Sequence, residues 1–217
     1  PKFDNVVLIK GALSRKIDKD NEYIKSVIKE YGLDAPLLSK PTIGVLLGGE
    51  SKYLSLDIGI VKIIINSLDE VISKLGGSVL ISTSRRTARD VEEFLKARLS
   101  KRIGYRMLII ANESNPQGSL EAILHLSDIL VVTGDSISMM SEAVNSNKHT
   151  IILKLKRKKQ NFVSKHEKFA ENLEKDGYAY ICENNLSVRI SEIWKQGPAI
   201  KESADQKNIV RKLEEIL

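Results

Sequence analysis

The residues best suited to chemistry in this 217-residue chain lie in one stretch, Thr133-Gly134-Asp135-Ser136-Ile137-Ser138-Met139-Met140-Ser141-Glu142-Ala143. Gly134 permits a tight turn out of a strand. Asp135, Ser136 and Ser138 are helix-capping types, and a helix start leaves backbone N–H groups without intrahelical acceptors. Hydroxyls beside such N–H groups suit a diphosphate. Glu142 lies a turn inside, too deep for a cap, and its carboxylate could accept hydrogen bonds from ribose hydroxyls. The plainer reading of the same residues is a capped core helix with Glu142 in solvent. Met139 and Met140 read as packing residues.

Further candidates sit in other loops. Gly48-Gly49 allows a backbone to approach a ligand or simply to turn. It is neither a Walker loop nor GxGxxG. Thr83-Ser84-Arg85-Arg86-Thr87 sets two guanidiniums beside three hydroxyls, which makes an anion cradle. Alternatively it is a helix start capped by Thr87, with Asp90 in the first turn. Asn115-Pro116 reads as a helix opening, with Asn115 a candidate contact to a base or loop. Lys154, Lys156, Arg157, Lys158 and Lys159 form the strongest basic cluster, an anionic-membrane or nucleic-acid patch or else a solvated loop. Few aromatics interleave with it, and no nucleic-acid module is recognisable, so sequence-specific nucleic-acid binding is not expected. His125, His149 and His166 are scattered, with no nucleophile arranged around them. His125 reads as a core or edge residue and His166 as a helix-surface one. The single cysteine, Cys182, excludes an intrachain disulfide and argues against a Cys/His zinc site. No metal and no cofactor is expected.

The elements that must position these residues alternate between strand and helix. Strands are expected at 5–9, 42–47, 78–82, 106–111, 128–133, 150–155 and 178–182. Helices are expected at 20–31, 57–75, 87–99, 118–127, 136–145, 161–175, 186–195 and 204–216. In the first helix Tyr23, Val27, Ile28 and Tyr31 share a face. This alternation predicts an α/β fold, a Rossmann-like parallel sheet with helices on both faces. Ligands in such folds bind at the carboxyl ends of the strands, where the loops after Leu47, Ser82, Ala111, Thr133 and Leu155 gather. Residues 1–40 read as a linker and helical segment, 41–184 as the Rossmann-like domain and 185–217 as C-terminal helices. Hydrophobic residues make up 42% of the chain and charged ones 29%, ordinary for a globular protein. No apolar run is long enough to span a bilayer, and the start lacks a signal-peptide core. The net charge of +6 favours anionic partners without choosing among them. A cytoplasmic setting fits, with association to the cytoplasmic membrane face as the extension. The chain opens at Pro1 without a methionine, and the expectation is that it begins inside a longer gene product.

The ordered set Ile43-Gly44-Val45-Leu46-Leu47-Gly48-Gly49, Thr83-Ser84-Arg85-Arg86-Thr87, Asn115-Pro116 and the Thr133–Ala143 stretch resembles the mitochondrial-fission "elongated mitochondria" protein family. Gly11-Ala12-Leu13-Ser14-Arg15 matches a further stretch of that family. The resemblance implies a fold similar to the C-terminal, donor-binding half of a glycosyltransferase B enzyme, with an N-terminal half missing. It implies that Ser136 and Ser138 take a diphosphate and that Glu142 takes the ribose. Gly48-Gly49 would then lie near the phosphates, and Arg85 and Arg86 would neutralise a departing diphosphate. The turn departs from the Gly-Ala/Gly-x-Thr of many such enzymes, carrying Asp135-Ser136-Ile137-Ser138 instead. Bacterial members are often labelled nucleoside-diphosphate-sugar epimerases, chemistry that would normally need bound NAD and a Tyr-x-x-x-Lys pair. The chain has neither that pair nor GxGxxG. The implied function is nucleotide-sugar binding, with transfer of the sugar to an acceptor. The alternative is a non-catalytic peripheral membrane adaptor, as plant relatives recruit a dynamin-like protein.

Overall fold

The computed structural model describes residues 21–33, 38–159 and 162–197. The strand expected at 5–9, the helix expected at 204–216 and the Gly11–Arg15 stretch lie outside them. The described elements run α1 (Glu22–Glu30), β1 (Thr42–Leu47), β2 (Leu54–Ser55), α2 (Ile58–Leu75), β3 (Ser78–Thr83), α3 (Arg89–Leu99), β4 (Tyr105–Ile109) and α4 (Ser119–Leu126). They continue with β5 (Ile129–Thr133), α5 (Ile137–Asn145), β6 (His149–Leu153), β7 (Lys156–Arg157), α6 (Lys165–Lys175), β8 (Tyr180–Cys182) and α7 (Leu186–Gln196).

Six of the strands form one sheet in the order β4-β3-β1-β5-β6-β8, with every pairing parallel. Counted along the chain this is the Rossmann order 3-2-1-4-5-6. The order reverses between β1 and β5, and the helices that follow these strands lie on opposite faces of the sheet; in such folds ligands bind at this point of reversal. Burial on both faces explains the unbroken apolar sequence of β1, all six residues of which are buried. Side chains still alternate between faces. Ile43, Val45, Val79, Ile81 and Val131 pack with α2, α3 and α7. Leu46, Leu80, Leu130, Val132 and Ile152 pack with α1, α4, α5 and α6. Asp57 caps α2, its Oδ1 accepting the Ile60 N–H at 2.9 Å. Gly76 ends it in the left-handed conformation, φ +72°.

Three expectations change. The buried face of α1 centres on Ile24 and Val27, and Tyr23 is 52% exposed. The reason is the approach of α1 to α4. The Tyr23 backbone lies where a Cβ on Gly118 would fall at 2.8 Å, and Gly118 itself has φ +91°. That glycine, not Pro116, is the N-cap of α4. The strand expected at 150–155 ends at Leu153, and Lys156–Arg157 pairs antiparallel with Leu54–Ser55 as a small ribbon. Two-residue strands carry no periodicity, so neither was visible. Among the described residues no helix is long and apolar enough to cross a membrane.

Candidate functional site

Three loops meet at the reversal point, and one carboxylate joins them. Asp135 leaves β5 and is fully buried. Its Oδ1 accepts the Thr133 hydroxyl at 2.7 Å, and its Oδ2 accepts the Gly49 N–H at 3.0 Å and Arg86 Nη2 at 3.1 Å. Thr133 Oγ1 accepts the Gly48 N–H at 2.7 Å. The paired glycines are required by this closeness. A Cβ on Gly48 would fall 2.2 Å from the Asp135 carboxylate oxygens, and one on Gly49 would fall 2.0 Å from the Arg86 carbonyl. Asp135 was expected against a ligand. The structure gives its oxygens to the protein, which makes it the residue that positions the loops.

The arginine loop is clasped to the glycine loop rather than opening a helix. Thr87 is buried, its hydroxyl donates to the Gly48 carbonyl, and it accepts the Ser84 N–H at 2.9 Å. The Thr87 N–H reaches the Ser84 carbonyl at 2.9 Å, closing a turn. The cap expected at Thr87 is therefore absent. Helix α3 starts at Arg89 behind Ala88, which makes no side-chain cap bond. The two arginines part company. Arg86 turns inward to Asp135, while Arg85 is exposed.

Helix α5 starts from the same edge. Ser136 is its N-cap, accepting the Met139 N–H at 3.5 Å, and Ser138 is exposed on the first turn. The N–H groups of this first turn have no intrahelical acceptor by helix geometry. Glu142 is half-buried in the helix body. Burial, and then the charge of Glu121 on α4, push its carboxyl above the usual range. A carboxylate held unpaired against a second one is disfavoured unless something donates to it. Asn115 is exposed on the loop between β4 and α4, and its neighbour Asn112 instead ties that loop to Glu92 at 2.8 Å.

The basic cluster is not a free patch. Lys154 pairs with Glu183 at 3.2 Å, Arg157 with the buried Glu167 at 2.6 Å and Lys158 with Glu50. Lys156 and Lys159 are exposed. Through the β2–β7 ribbon and Lys158–Glu50, the cluster flanks the Gly48-Gly49 loop. Lys154 and Lys156 of the cluster also line a groove of about 250 Å³, with Ile60, Ile63, Cys182 and Glu183. Arg85, Ser138 and Glu142 are not among its walls.

One residue at this edge was not anticipated. His166, expected on a helix surface, is half-buried on the first turn of α6, close enough to Asp135 and Arg86 to feel both charges. Its only sequence signal is its place two residues after the Ser164 cap, which shows no chemistry by itself.

The family model described as Mitochondrial fission ELM1 matches residues 1–211. No curated protein matches the chain. Among solved structures, it is similar to Methanocaldococcus jannaschii UDP-GlcNAc 2-epimerase in complex with UDP-GlcNAc and UDP. The TM-score is 0.59 at 14% identity, covering 90% of this chain and 49% of that one. A second structure of that epimerase gives TM-score 0.59 and 14% identity, covering 90% of this chain and 50% of the other. The chain thus spans about half the length of these structures, and at such identities the likeness is one of fold.

Proposed function

We propose that this chain, which belongs to the Mitochondrial fission ELM1 family, binds a nucleoside-diphosphate sugar at the carboxyl edge of its sheet, as the donor side of a glycosyltransferase-like site. The observation that carries this reading is the Asp135 junction at the reversal between β1 and β5. A buried carboxylate locks Gly48-Gly49, Arg86 and the turn into α5 in one arrangement. Preorganised loops with little side-chain bulk are what a diphosphate needs for close approach. Ser136, Ser138 and the first-turn N–H groups of α5 then hold the phosphates, Arg85 and Arg86 balance their charge, and Glu142 accepts from the ribose. The UDP-GlcNAc and UDP of the similar epimerase complex belong to the same chemical class. Departure of the sugar leaves the diphosphate with added negative charge, which the arginines and helix N-terminus stabilise.

The test is thermal denaturation of the chain with UDP, GDP and ADP and their sugars at millimolar concentration. At least one should raise Tm, and Glu142→Ala should shrink the shift. A flat response across the whole panel would refute the reading. The membrane-adaptor alternative rests on the basic cluster, and three of its five cations are already paired within the protein. Salt-sensitive binding to anionic vesicles, lost when Lys156 and Lys159 are neutralised, would restore it.

A further inference from the structure

The groove lined by Lys154 and Lys156 takes no part in nucleotide binding as proposed above, and its apolar wall exceeds what the core uses. Helix α2 buries Val61, Ile64, Ile65, Leu68 and Val71 as its core stripe. Ile60 and Ile63 lie beside that stripe, three residues apart on one flank. Ile63 is 64% exposed. Further along α2 the same flank carries Ser67, Glu70 and Lys74, and Glu70 accepts the Ser187 hydroxyl of α7 at 2.7 Å. The flank is apolar only over the first turns of the helix, where it walls the groove. Leu155 and Leu186 add to the same lining. Covering an exposed isoleucine with a ligand recovers transfer free energy that the fold leaves unused. A concave, mainly apolar wall with a few polar groups is the form of a small-molecule site.

Charge selects the occupant. Lys154, Lys156 and Glu183 are the charged residues of the lining. Lys154 and Glu183 pair at 3.2 Å, and both are open to solvent. Arg157 turns to Glu167 on α6, and its neighbour Lys156, by strand alternation, turns the other way to the groove. Lys156 is exposed and enters no ion pair among the described residues. Apolar side chains thus share the groove with one uncompensated cation. Its volume of about 250 Å³ has room for about eight groups of water size, about 30 Å³ each. That suits one unbranched chain of medium length and is too little for the paired chains of a bilayer lipid or for a helix face. We propose that this groove binds a single-chain anionic amphiphile, a medium-chain fatty acid, with its alkyl chain along Ile60 and Ile63 and its carboxylate on Lys156. The site shares no residue with the proposed nucleotide contacts, so it stands whether or not a nucleotide sugar binds.

The experiment is calorimetric titration of the whole chain with decanoate, kept below its micelle-forming concentration, beside decanol and decyltrimethylammonium. Decanoate should bind at one site, about tenfold more tightly than decyltrimethylammonium. Ile63→Asp should abolish binding. Because Ile63 is exposed, that variant should keep the wild-type Tm. Lys156→Glu should weaken decanoate about tenfold and leave decanol unchanged. Cys182 lines the groove and is the single cysteine of the chain, so decanoate should slow its alkylation by N-ethylmaleimide in the wild type and not in Ile63→Asp. Decanoate that does not bind, or that binds Ile63→Asp as well as the wild type, overturns the site. Equal binding of all three probes, or decanoate binding untouched by Lys156→Glu, overturns the choice of an anion and the proposal with it. Capture of the chain by phosphatidylglycerol vesicles without binding of free decanoate also overturns it, and sets the groove against a membrane instead.

Discussion

Adjacent arginines with the same sequence-level reading do different work. Arg86 is held by the fully buried Asp135, whereas Arg85 faces solvent. Asp135 is buried and Arg86 half-exposed, so removing the arginine leaves a buried carboxylate without its cation. Arg86→Ala should therefore cost about 2–3 kcal/mol in urea unfolding, whereas Arg85→Ala should stay within about 0.5 kcal/mol and instead weaken nucleotide binding. Glu142 shows the opposite balance, a residue poorly placed for stability. Burial and Glu121 raise its folded pKa above the unfolded one. The native state then binds more protons in the intervening window, so this group's stabilisation is complete below the unfolded value and lost as pH rises through the folded one. Glu142→Gln should raise Tm at pH 7 while weakening nucleotide binding. A variant that loses stability instead would show that Glu142 has a structural partner. On the proposed ribose role of Glu142, the raised value predicts that nucleotide affinity is lost on acidification at a higher pH than an ordinary carboxylate would give, and Glu121→Gln should move that loss toward acid.

At the scale of elements, loops and caps decide the site. Gly48 and Gly49 have no space for a side chain, since any Cβ meets the Asp135 carboxylate or the Arg86 backbone. Gly49→Ala should cost about 3 kcal/mol, because backbone yields less readily than a flexible side chain. Helix α6 is anchored by a capping box, with Ser164 Oγ accepting the Glu167 N–H at 3.2 Å and Glu167 Oε2 accepting the Ser164 N–H at 2.9 Å. Burial works to raise the Glu167 pKa, but the bonds from Ser164 and Arg157 outweigh it and the net value is lowered. This contribution is present above the unfolded carboxyl pKa and drains as pH falls through the folded one. In Arg157→Met the loss should begin at higher pH, read as an upward move of the acid-unfolding midpoint. The helices of the described core were legible because their apolar residues recur at helical spacing, and Asp57–Leu75 was expected where Ile58–Leu75 is found. The ribbon of β2 and β7 was not, because it is held by partners far apart in sequence. The Thr87 cap was misread for a related reason. Its hydroxyl has a better use across the fold, on the Gly48 carbonyl.

At the scale of the molecule, the parallel sheet gathers the loops after β1, β3 and β5 from distant parts of the chain onto one edge, and the net charge of +6 favours the approach of anions to the protein. Nucleotide association should slow as ionic strength rises, measured by stopped-flow, while dissociation changes less. By itself the sequence determined the α/β class, the order of the elements and the carboxyl edge at which ligands of such folds are expected. Apolar periodicity and glycine breaks are local properties, and parallel sheets place their loops by rule. Only the tertiary structure decided which residues at that edge face each other. It turned Asp135 from a ligand contact into the junction of three loops, separated Arg85 from Arg86, paired most of the basic cluster and brought His166 in from another helix. Hydrogen bonds between positions tens of residues apart depend on strand order and on the packing of whole faces. No local pattern encodes those distances.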